Sequence, residues 1–340
     1  MNTREAIDLI VSHRRSLTED EAAGVMRDIM SGEATPAQIG AFLVALRLKG
    51  ETVDEVAGMA RVMRQNALSV PLGEDAVVDT CGTGGSGTGS FNISTAAAFV
   101  AAAAGARVAK HGNRAMTSAS GSADVLEALG AKIDLTPEQV GRCLREVGIG
   151  FMFAQAFHPA MKHVAGPRRE IGVRTVFNVL GPLTNPAGAK HQLLGVARAE
   201  LAPLLAGALA RLGSTHAVVV HGHGGLDELS LSGPSIVHDL RDGALTDYEI
   251  APADVGLEEA PAEAVRGGSP EENAASLRAV LDGKAGPLRD ITLLNAAAAL
   301  VAADLAPDIK AGVALAARAV DSGAARQKLD AFVALTGSFA

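Results

Sequence analysis

The chain contains little cysteine and few aromatic side chains. Its two cysteines, Cys81 and Cys143, exclude a disulfide framework and a cysteine-rich zinc site. There is no Trp and one Tyr, so stacking platforms for single-stranded nucleic acid are scarce. The formal net charge is −8, from 30 Lys and Arg against 38 Asp and Glu, which disfavours broad electrostatic binding to nucleic acid. No nucleic-acid partner is therefore expected.

Long apolar segments are also missing. The longest apolar run, residues 96–105, falls well short of the roughly 20 residues that a membrane span requires. Residues 1–15 carry charges throughout and have no apolar centre, so they predict no secretory signal. We therefore expect a cytoplasmic protein with no membrane partner. A length of 340 residues with 48% hydrophobic content predicts about two domains with a large core.

The first 70 residues predict helices. Capping boxes begin at Thr18, Thr35 and Thr52, where a Thr and a Glu or Gln three residues later satisfy the free amides of a helix start. Pro36 stands at a first helical position, and Gly50 ends the same helix. Between them lies one apolar stripe: Ile39, Phe42, Leu43 and Leu46. This pattern predicts a small helical domain over residues 1–72 that packs against other elements and can form a subunit interface.

From residue 76 onward, short apolar strands alternate with helices. Strands are predicted at 76–79, 107–110 and 216–220, with helices at 94–104 and 124–129 and a helical tail from Pro270. Such alternation indicates an α/β fold with a mostly parallel central sheet. We assign residues 73–164 and 191–340 to this larger α/β domain, and part of 165–190 to the helical domain.

A glycine loop follows the first predicted strand, with five glycines in residues 82–89. A P-loop is excluded because no Lys follows these glycines. Gly82, Gly84 and Gly87 match the dinucleotide fingerprint, but that motif also needs an acidic residue about 20 positions later. Residues 80–123, 44 in all, contain no Asp or Glu, whereas the chain average of 38 in 340 predicts roughly five.

The same acid-free window is rich in cations and hydroxyls. Arg107, Lys110, His111 and Arg114 lie in it, and its polar residues are Asn92, Ser94, Thr95, Thr117, Ser118, Ser120 and Ser122. Bare loop amides and the start of a helix near Ser94 favour an anion. The window therefore predicts a site for a multiply charged phosphate compound; a solvated face would explain neither the glycines nor the missing acids.

Two adjacent carboxylates, Asp227 and Glu228, follow the strand at 216–220 in the stretch HGHGGLDELS. Their position at a carboxyl strand end is where α/β folds place ligands. Oxygen ligands suit Mg²⁺ shared with substrate phosphates. Solvated surface is the alternative for such a pair taken alone. His221 and His223 are interpreted as loop packing, since no third soft ligand accompanies them.

A third cluster occupies residues 158–186. It sets Lys162, Arg168, Arg169 and Arg174 among small and apolar residues. An arginine on an apolar floor can hold an aromatic carboxylate, through bidentate hydrogen bonds at one end and burial at the other. Structural ion pairs with Glu170 and other acids are an equally open alternative.

Taken together, these clusters resemble the anthranilate phosphoribosyltransferases, enzymes of tryptophan biosynthesis. The matching segments are GTGG at 82–85, NIST at 92–95, KHGNR at 110–114, GPRRE to NP at 166–186 and DE at 227–228. The resemblance implies a nucleoside-phosphorylase-like fold and a homodimer formed through the helical domain. It also implies a pentosyltransferase that moves the phosphoribosyl group of phosphoribosyl diphosphate (PRPP) to the amine of anthranilate.

The resemblance further implies the roles of individual residues. The PRPP site would comprise Gly82, Gly84, Gly85, Ser86, Ser90, Asn92, Ile93, Ser94, Thr95, Lys110, His111, Gly112, Asn113, Arg114, Ser118 and Ser122. The anthranilate site would comprise Gly82, His111, Asn113, His158 and Arg168. Mg²⁺, with two ions per subunit, would be held by Ser94, Asp227 and Glu228. The catalytic residues would be Lys110, His111 and Arg168.

The sequence departs from the family pattern in the glycine loop. Ser86 stands where the family has Asp, and Ser90 where it has Thr. Loss of the carboxylate at position 86 leaves phosphate affinity intact or stronger but puts Mg²⁺ placement and turnover in question. Two other functions stay open from the sequence: a pyrimidine nucleoside phosphorylase, and a non-catalytic relative that binds a nucleotide or nucleic acid.

Overall fold

The computed structural model describes residues 1–72, 76–115 and 119–339. Its first part is helical, with α1 (Thr3–His13), α2 (Glu19–Ser31), α3 (Pro36–Lys49) and α4 (Val53–Gln65). The three predicted capping boxes are confirmed, since Thr18, Thr35 and Thr52 each accept a hydrogen bond from the amide three residues on at 3.3 Å. The apolar stripe of α3 is also confirmed, since all four of its residues are buried.

A seven-stranded sheet forms the second part. The strands are β1 (Val78–Gly82), β2 (Val108–Gly112), β3 (Ile149–Phe153), β4 (His191–Gly195), β5 (His216–His221), β6 (Ser235–Arg241) and β7 (Ala244–Ile250). Their order is β3-β2-β1-β4-β5-β6-β7. The strands from β3 to β5 are parallel to one another, and β6 and β7 are antiparallel. The predicted fold class, a small helical domain followed by an α/β domain with a mostly parallel sheet, is confirmed.

Helices cover both faces of this sheet. The helices after β1 are α5 (Ile93–Ala103), α6 (Ser122–Ala128), α7 (Pro137–Glu146), α8 (Ala154–Phe157), α9 (Lys162–Ile171), α10 (Phe177–Leu180), α11 (Ala202–Arg211), α12 (Pro270–Leu281), α13 (Pro287–Ala302), α14 (Ile309–Asp321) and α15 (Ala324–Gly337). Of these, α9 packs with α2 and α3, and α10 with α4. Small residues let α13 and α14 pack closely, since a Cβ at Gly312 would lie 2.8 Å from the Ala297 carbonyl oxygen. None of the helices within the described ranges is both long and apolar enough to cross a membrane.

Several element boundaries differ from the sequence prediction. β1 begins at Val78 rather than residue 76 and continues to Gly82, and β2 likewise extends to Gly112. β3 and β4 were not predicted, because short buried runs such as IGFMF (149–153) cannot be told from buried helix by periodicity. The hairpin β6–β7 was also missed. Its turn gives Asp242 a positive φ of 49°, at a position where the sequence has Asp-Gly.

Two apolar clusters divide the core. One contains the inner faces of α1 to α4 together with Val164, Val176, Phe177, Leu180 and Leu183, and it extends to α11 and one face of β4 and β5. The other contains α5, α13 and the remaining sheet face. Arg64 of α4 is half-buried and donates to the Leu183 carbonyl at 2.6 Å. The division into domains at residue 72, with 165–190 completing the helical domain, stays a prediction that this packing supports.

A buried histidine joins β5 to its neighbours at the amino edge of the sheet. His216 Nδ1 lies 2.8 Å from Asp304 Oδ1, and Nε2 lies 3.1 Å from Asp239 Oδ1. Carboxylates only accept and a neutral imidazole donates once, so both contacts together favour the doubly protonated ring. Burial lowers the pKa of His216, but its hydrogen bonds to both acids outweigh this and raise the pKa. His191 adds a third metal-type ligand there, although the Arg241 guanidinium, 3.5 Å from Asp304, disfavours a cation.

This arrangement predicts a pH-dependent contribution to stability. Because the folded-state pKa of His216 is raised, its stabilisation is complete below the unfolded pKa of about 6.5 and is lost as the pH rises through the folded value. We expect His216→Gln to lower the free energy of unfolding by about 1 kcal/mol more at pH 5.5 than at pH 9. Urea denaturation across this range measures the difference. His13→Gln, at an exposed position on α1, is the control, and equal losses at both pH values would contradict the prediction.

Candidate active site

The glycine loop is fixed at both ends and bends in its middle. The Thr83 amide donates to the Gly195 carbonyl at 2.8 Å, and the Gly267 amide donates to the Gly89 carbonyl at 2.8 Å. Between these points the glycines at 84, 85, 87 and 89 have φ values of 65° to 74°. Side chains disfavour such values, so glycine is required for this path. The loop therefore lies along the carboxyl ends of β1 and β4.

Asp227 is pressed against this strand edge. A Cβ at Gly82 would lie 2.6 Å from Asp227 Oδ2, and a Cβ at Gly195 would overlap with the Asp227 carbonyl. The Gly84 amide donates to Asp227 Oδ2 at 2.8 Å. Burial raises the pKa of Asp227, opposed by hydrogen bonding from the Ser86 side chain and the Gly84 amide. Because Gly82 and Gly195 at the ends of β1 and β4 have no side chain, Asp227 can lie in contact with the glycine loop.

Glu228 has a buried carboxylate oxygen, Oε2, without a hydrogen-bond donor in the described residues. Burial, and then the neighbouring Asp227 charge, hold its pKa well above its usual range, while Lys110 lowers it. A buried carboxylate oxygen without a hydrogen bond is energetically unfavourable, and so is the repulsion between two adjacent carboxylates. A divalent cation bound between them would offset both costs. The donor set therefore fits Mg²⁺.

Lys110 brings a positive charge from β2 to the start of α5. Its ammonium donates to the Thr80 carbonyl and, at 3.1 Å, to Ser94 Oγ. Burial lowers the pKa of Lys110, while Asp79, Cys81 and Glu228 raise it. Asp79 also accepts the His111 amide at 3.0 Å. The structure therefore brings the predicted residues Ser94 and Lys110 into direct contact.

His111 and His158 form a pair of buried imidazoles. Their ring centroids are 5.1 Å apart, and the Nε2 atom of each ring has no partner within the described part of the chain. Burial lowers the pKa of His111 to about 3 and that of His158 to about 4. Both rings are therefore neutral at pH 7. Their unpartnered nitrogens can hydrogen-bond a ligand but carry no charge.

Arg168 is a cation on an apolar support. Its guanidinium carbon lies 5.4 Å from the centre of the Phe177 ring. The side chain is half-buried, and this burial lowers its pKa. It forms no salt bridge in the described residues, so the alternative of a structural ion pair with Glu170 is wrong for Arg168. An arginine in this setting can hold a carboxylate.

Other predicted residues are engaged elsewhere. The side chain of Asn92 exchanges hydrogen bonds with Ser120 and accepts one from Asn273 at 2.9 Å. The Arg114 guanidinium pairs with Asp124 at 3.3 Å and with Glu127, so its charge is already compensated. Arg114 was predicted to bind phosphate, but in this structure its charge is neutralised by these two acids.

The remaining predicted positions vary in burial. The Ile93 side chain is buried in the core, and Thr95 Oγ1 is buried without a partner among described atoms. Ser122 Oγ donates to the Asn113 carbonyl at 3.3 Å, beneath Gly112. Ser86 shares a hydrogen bond with Thr88, and Ser90 forms an isolated backbone bridge with Arg266. Ser118 lies outside the described residues, and the roles of the whole set stay predictions.

Two residues contact the glycine loop or Asn92 in ways that the sequence did not predict. Arg174 donates to the Gly84 carbonyl at 3.3 Å, and Asn273 of α12 supports Asn92. Arg174 had a sequence signal, since it lies in the basic cluster at 158–186. Asn273 had none, because a lone Asn inside a helical tail points to no ligand.

Comparison with known proteins places this chain in a family. Residues 74–326 match the family described as "Glycosyl transferase family, a/b domain", and residues 4–67 match "Glycosyl transferase family, helical bundle domain". The anthranilate phosphoribosyltransferase of Chloroflexus aurantiacus is 61% identical over 338 residues, which is 99% of each chain. This chain belongs to the anthranilate phosphoribosyltransferase family.

Solved structures of the family agree along the whole chain. The anthranilate phosphoribosyltransferase of Thermus thermophilus superposes with a TM-score of 0.93 at 48% identity, covering 99% of both chains. The Saccharomyces cerevisiae enzyme in complex with PRPP and Mg superposes with a TM-score of 0.91 at 30% identity, covering 99% of this chain and 98% of its own. That yeast enzyme has also been solved with 4-fluoroanthranilate. The resemblance drawn from the sequence is therefore confirmed.

Proposed function

We propose that this chain transfers the phosphoribosyl group of PRPP to the amine of anthranilate, giving N-(5-phosphoribosyl)anthranilate and diphosphate in tryptophan biosynthesis. One observation carries the proposal: the Asp227–Glu228 pair lies against a glycine loop and beside Lys110. Carboxylates beside an anion site need a bridging cation, which is the arrangement that a magnesium-bound diphosphate provides. The named relatives support the same reaction.

The chemistry is displacement at C1′ of the ribose. The amine of anthranilate attacks, the bond from C1′ to the diphosphate oxygen breaks, and the amine proton leaves to solvent. The transition state resembles an oxocarbenium ion, so the protein positions both reactants and stabilises the departing charge. Lys110 and the bare amides of the glycine loop supply that stabilisation, and an arylamine is neutral at pH 7 and needs no dedicated base.

Mg²⁺ fits the carboxylate pair, and we propose two ions per subunit held by Ser94, Asp227 and Glu228. When bound, the ions neutralise the diphosphate and the two carboxylates together. Support comes from the unpartnered Glu228 Oε2 beside the Asp227 carboxylate. Ser86 replaces the carboxylate that the family has in this loop, so a smaller negative charge remains to compete with the diphosphate for the cation.

Anthranilate is proposed to bind between Arg168 and the histidine pair. Arg168 holds the carboxylate, because it is a cation on the Phe177 ring with no salt bridge among the described residues. His111 and His158 flank the amine, where a neutral ring orients it without protonating it. A pyrimidine nucleoside phosphorylase would need neither this arginine nor the carboxylate pair.

Loss of anthranilate fluorescence on addition of PRPP, across a Mg²⁺ titration, tests the proposal. We expect consumption that requires both PRPP and Mg²⁺, and Ser86→Asp as a matched variant should shift the Mg²⁺ concentration for half-maximal rate. Phosphorolysis of thymidine or uridine without anthranilate turnover would favour the phosphorylase. PRPP binding by calorimetry without turnover would favour a non-catalytic relative and overturn the proposal.

We further propose a cytoplasmic homodimer formed through the helical domain. The exposed fraction of the side chain is 62% for Val11 of α1, and 37% for Val44 and 83% for Leu48, both of α3. α1 and α3 pack against each other, and Val44 and Leu48 are one turn apart. A second copy of the chain is the occupant that this apolar face suits.

Substitution of Leu48 tests the dimer. We expect Leu48→Glu to convert a dimer into a monomer in light scattering, because the variant would bury two unpaired carboxylates in a symmetric interface. Leu245→Glu is the matched control, since this leucine is 47% exposed on β7, far along the chain from the helical domain. An unchanged mass for Leu48→Glu would place the interface elsewhere.

A further inference from the structure

The cations along the glycine loop differ in how far their charges are compensated. Arg114 is paired with Asp124 and Glu127. Lys110 is buried, and its ammonium already has a carbonyl and a hydroxyl partner. Arg174 is exposed and forms no salt bridge with any carboxylate in the described ranges. It is therefore a cation at the loop whose charge is left for a ligand.

Arg174 also makes direct contacts with the loop. Its Nη2 atom donates to the Gly84 carbonyl at 3.3 Å. A Cβ at Gly85 would overlap with Nη1 of the same guanidinium, so a side chain there would displace the guanidinium from its present position. Its charge acts on Asp227, which the Gly84 amide contacts at 2.8 Å. The guanidinium thus contacts Gly84 and Gly85 and acts electrostatically on the Asp227 carboxylate.

The position of Arg174 in the chain adds a second link. It stands between α9, which carries Arg168, and α10, whose Phe177 supports the Arg168 guanidinium. The Thr175 amide donates to Asn178 Oδ1 at 2.9 Å and fixes the start of α10. One short segment, residues 168–177, therefore reaches both the proposed anthranilate side and the glycine loop.

We propose that Arg174 is a positioning residue that holds the glycine loop in the path required for the diphosphate of PRPP. The inference rests on the proposed function, since it concerns the PRPP side of that same site. One N–H of its guanidinium holds the Gly84 carbonyl, and its charge remains available to the diphosphate. Removing it releases the loop and removes one positive charge.

Steady-state kinetics of Arg174→Ala and Arg174→Lys test this role. We expect Arg174→Ala to raise the KM for PRPP about 10- to 100-fold while the KM for anthranilate changes less than about threefold. Arg174→Lys restores the charge without the fork and should recover only part of the loss. Arg169→Ala is the matched control, because Arg169 is exposed on α9 and forms no salt bridge among the described residues. Unchanged PRPP kinetics in Arg174→Ala would overturn the inference.

A double-mutant cycle separates positioning from a general structural effect. Gly85→Ala strains the loop at a φ of 74° and also displaces the same guanidinium, so the part of its loss that comes from the displacement should disappear when residue 174 is already Ala. Additive losses would contradict the contact. If the wild-type protein binds PRPP without turnover, the proposed function fails. PRPP affinity measured by calorimetry then still tests Arg174, with the same expected loss in the Ala variant.

Discussion

Replacing Glu228 with Gln should lower activity and raise stability together. The change keeps the shape of the side chain and removes a buried charge whose Oε2 atom has no partner among the described residues. We expect kcat to fall about 10²- to 10³-fold, because the group that would hold the cation beside the departing diphosphate loses its charge. Measured without Mg²⁺, the melting temperature should rise, because desolvation of the carboxylate no longer opposes folding.

The pH dependence of that stability gain has a defined sign. Because the folded-state pKa of Glu228 is raised, the native state binds more protons than the unfolded state, and wild-type stability falls as the pH rises above about 4.3. The advantage of Glu228→Gln should therefore grow between about pH 4 and pH 8. Glu249→Gln, at an exposed position on β7, is the control and should leave both quantities unchanged. A destabilised Glu228→Gln would show that Glu228 supports the fold instead.

Replacing Arg168 with Ala should weaken anthranilate binding selectively. Charged hydrogen bonds to a carboxylate are worth about 1.5–3 kcal/mol, so the KM for anthranilate should rise about 10- to 150-fold. The KM for PRPP should change little, because Arg168, on α9, lies over the Phe177 ring of α10 rather than at the glycine loop. Initial rates with each substrate varied in turn measure both constants.

Two further variants sharpen this test. Arg168→Lys keeps the charge but loses the planar fork, so it should recover part of the anthranilate affinity. Phe177→Leu removes the ring beneath the guanidinium and should raise the anthranilate KM by a smaller factor. Equal changes in the KM values of both substrates for Arg168→Ala would rule out a specific contact with anthranilate.

The sequence predicted those features that depend on neighbouring residues. The capping boxes at Thr18, Thr35 and Thr52 involve positions three residues apart, and all three form. The glycine loop needs positive φ at its own glycines, a property of the residue itself. The resemblance carried by GTGG, NIST, KHGNR, GPRRE to NP and DE predicted the family and the reaction, although two other functions stayed open, and the alternation of strands and helices predicted the fold class.

The tertiary structure decided which charges are free and which are compensated. Gly84 meets Arg174 across 90 residues and Asp227 across 143, so no local pattern could bring them together. Arg114, predicted to bind phosphate, instead pairs with Asp124 and Glu127.

The sequence likewise did not predict which polar side chains are buried. The pairing of His111 with His158 and the orphaned oxygen of Glu228 arise only when the strand ends meet. The physical reason is that caps and glycine turns are stabilised within a few residues, whereas the ionisation of a side chain depends on every element packed around it. The sequence by itself determined the fold class and the resemblance to the family, and the tertiary structure decided which of the candidate site residues carry usable charge.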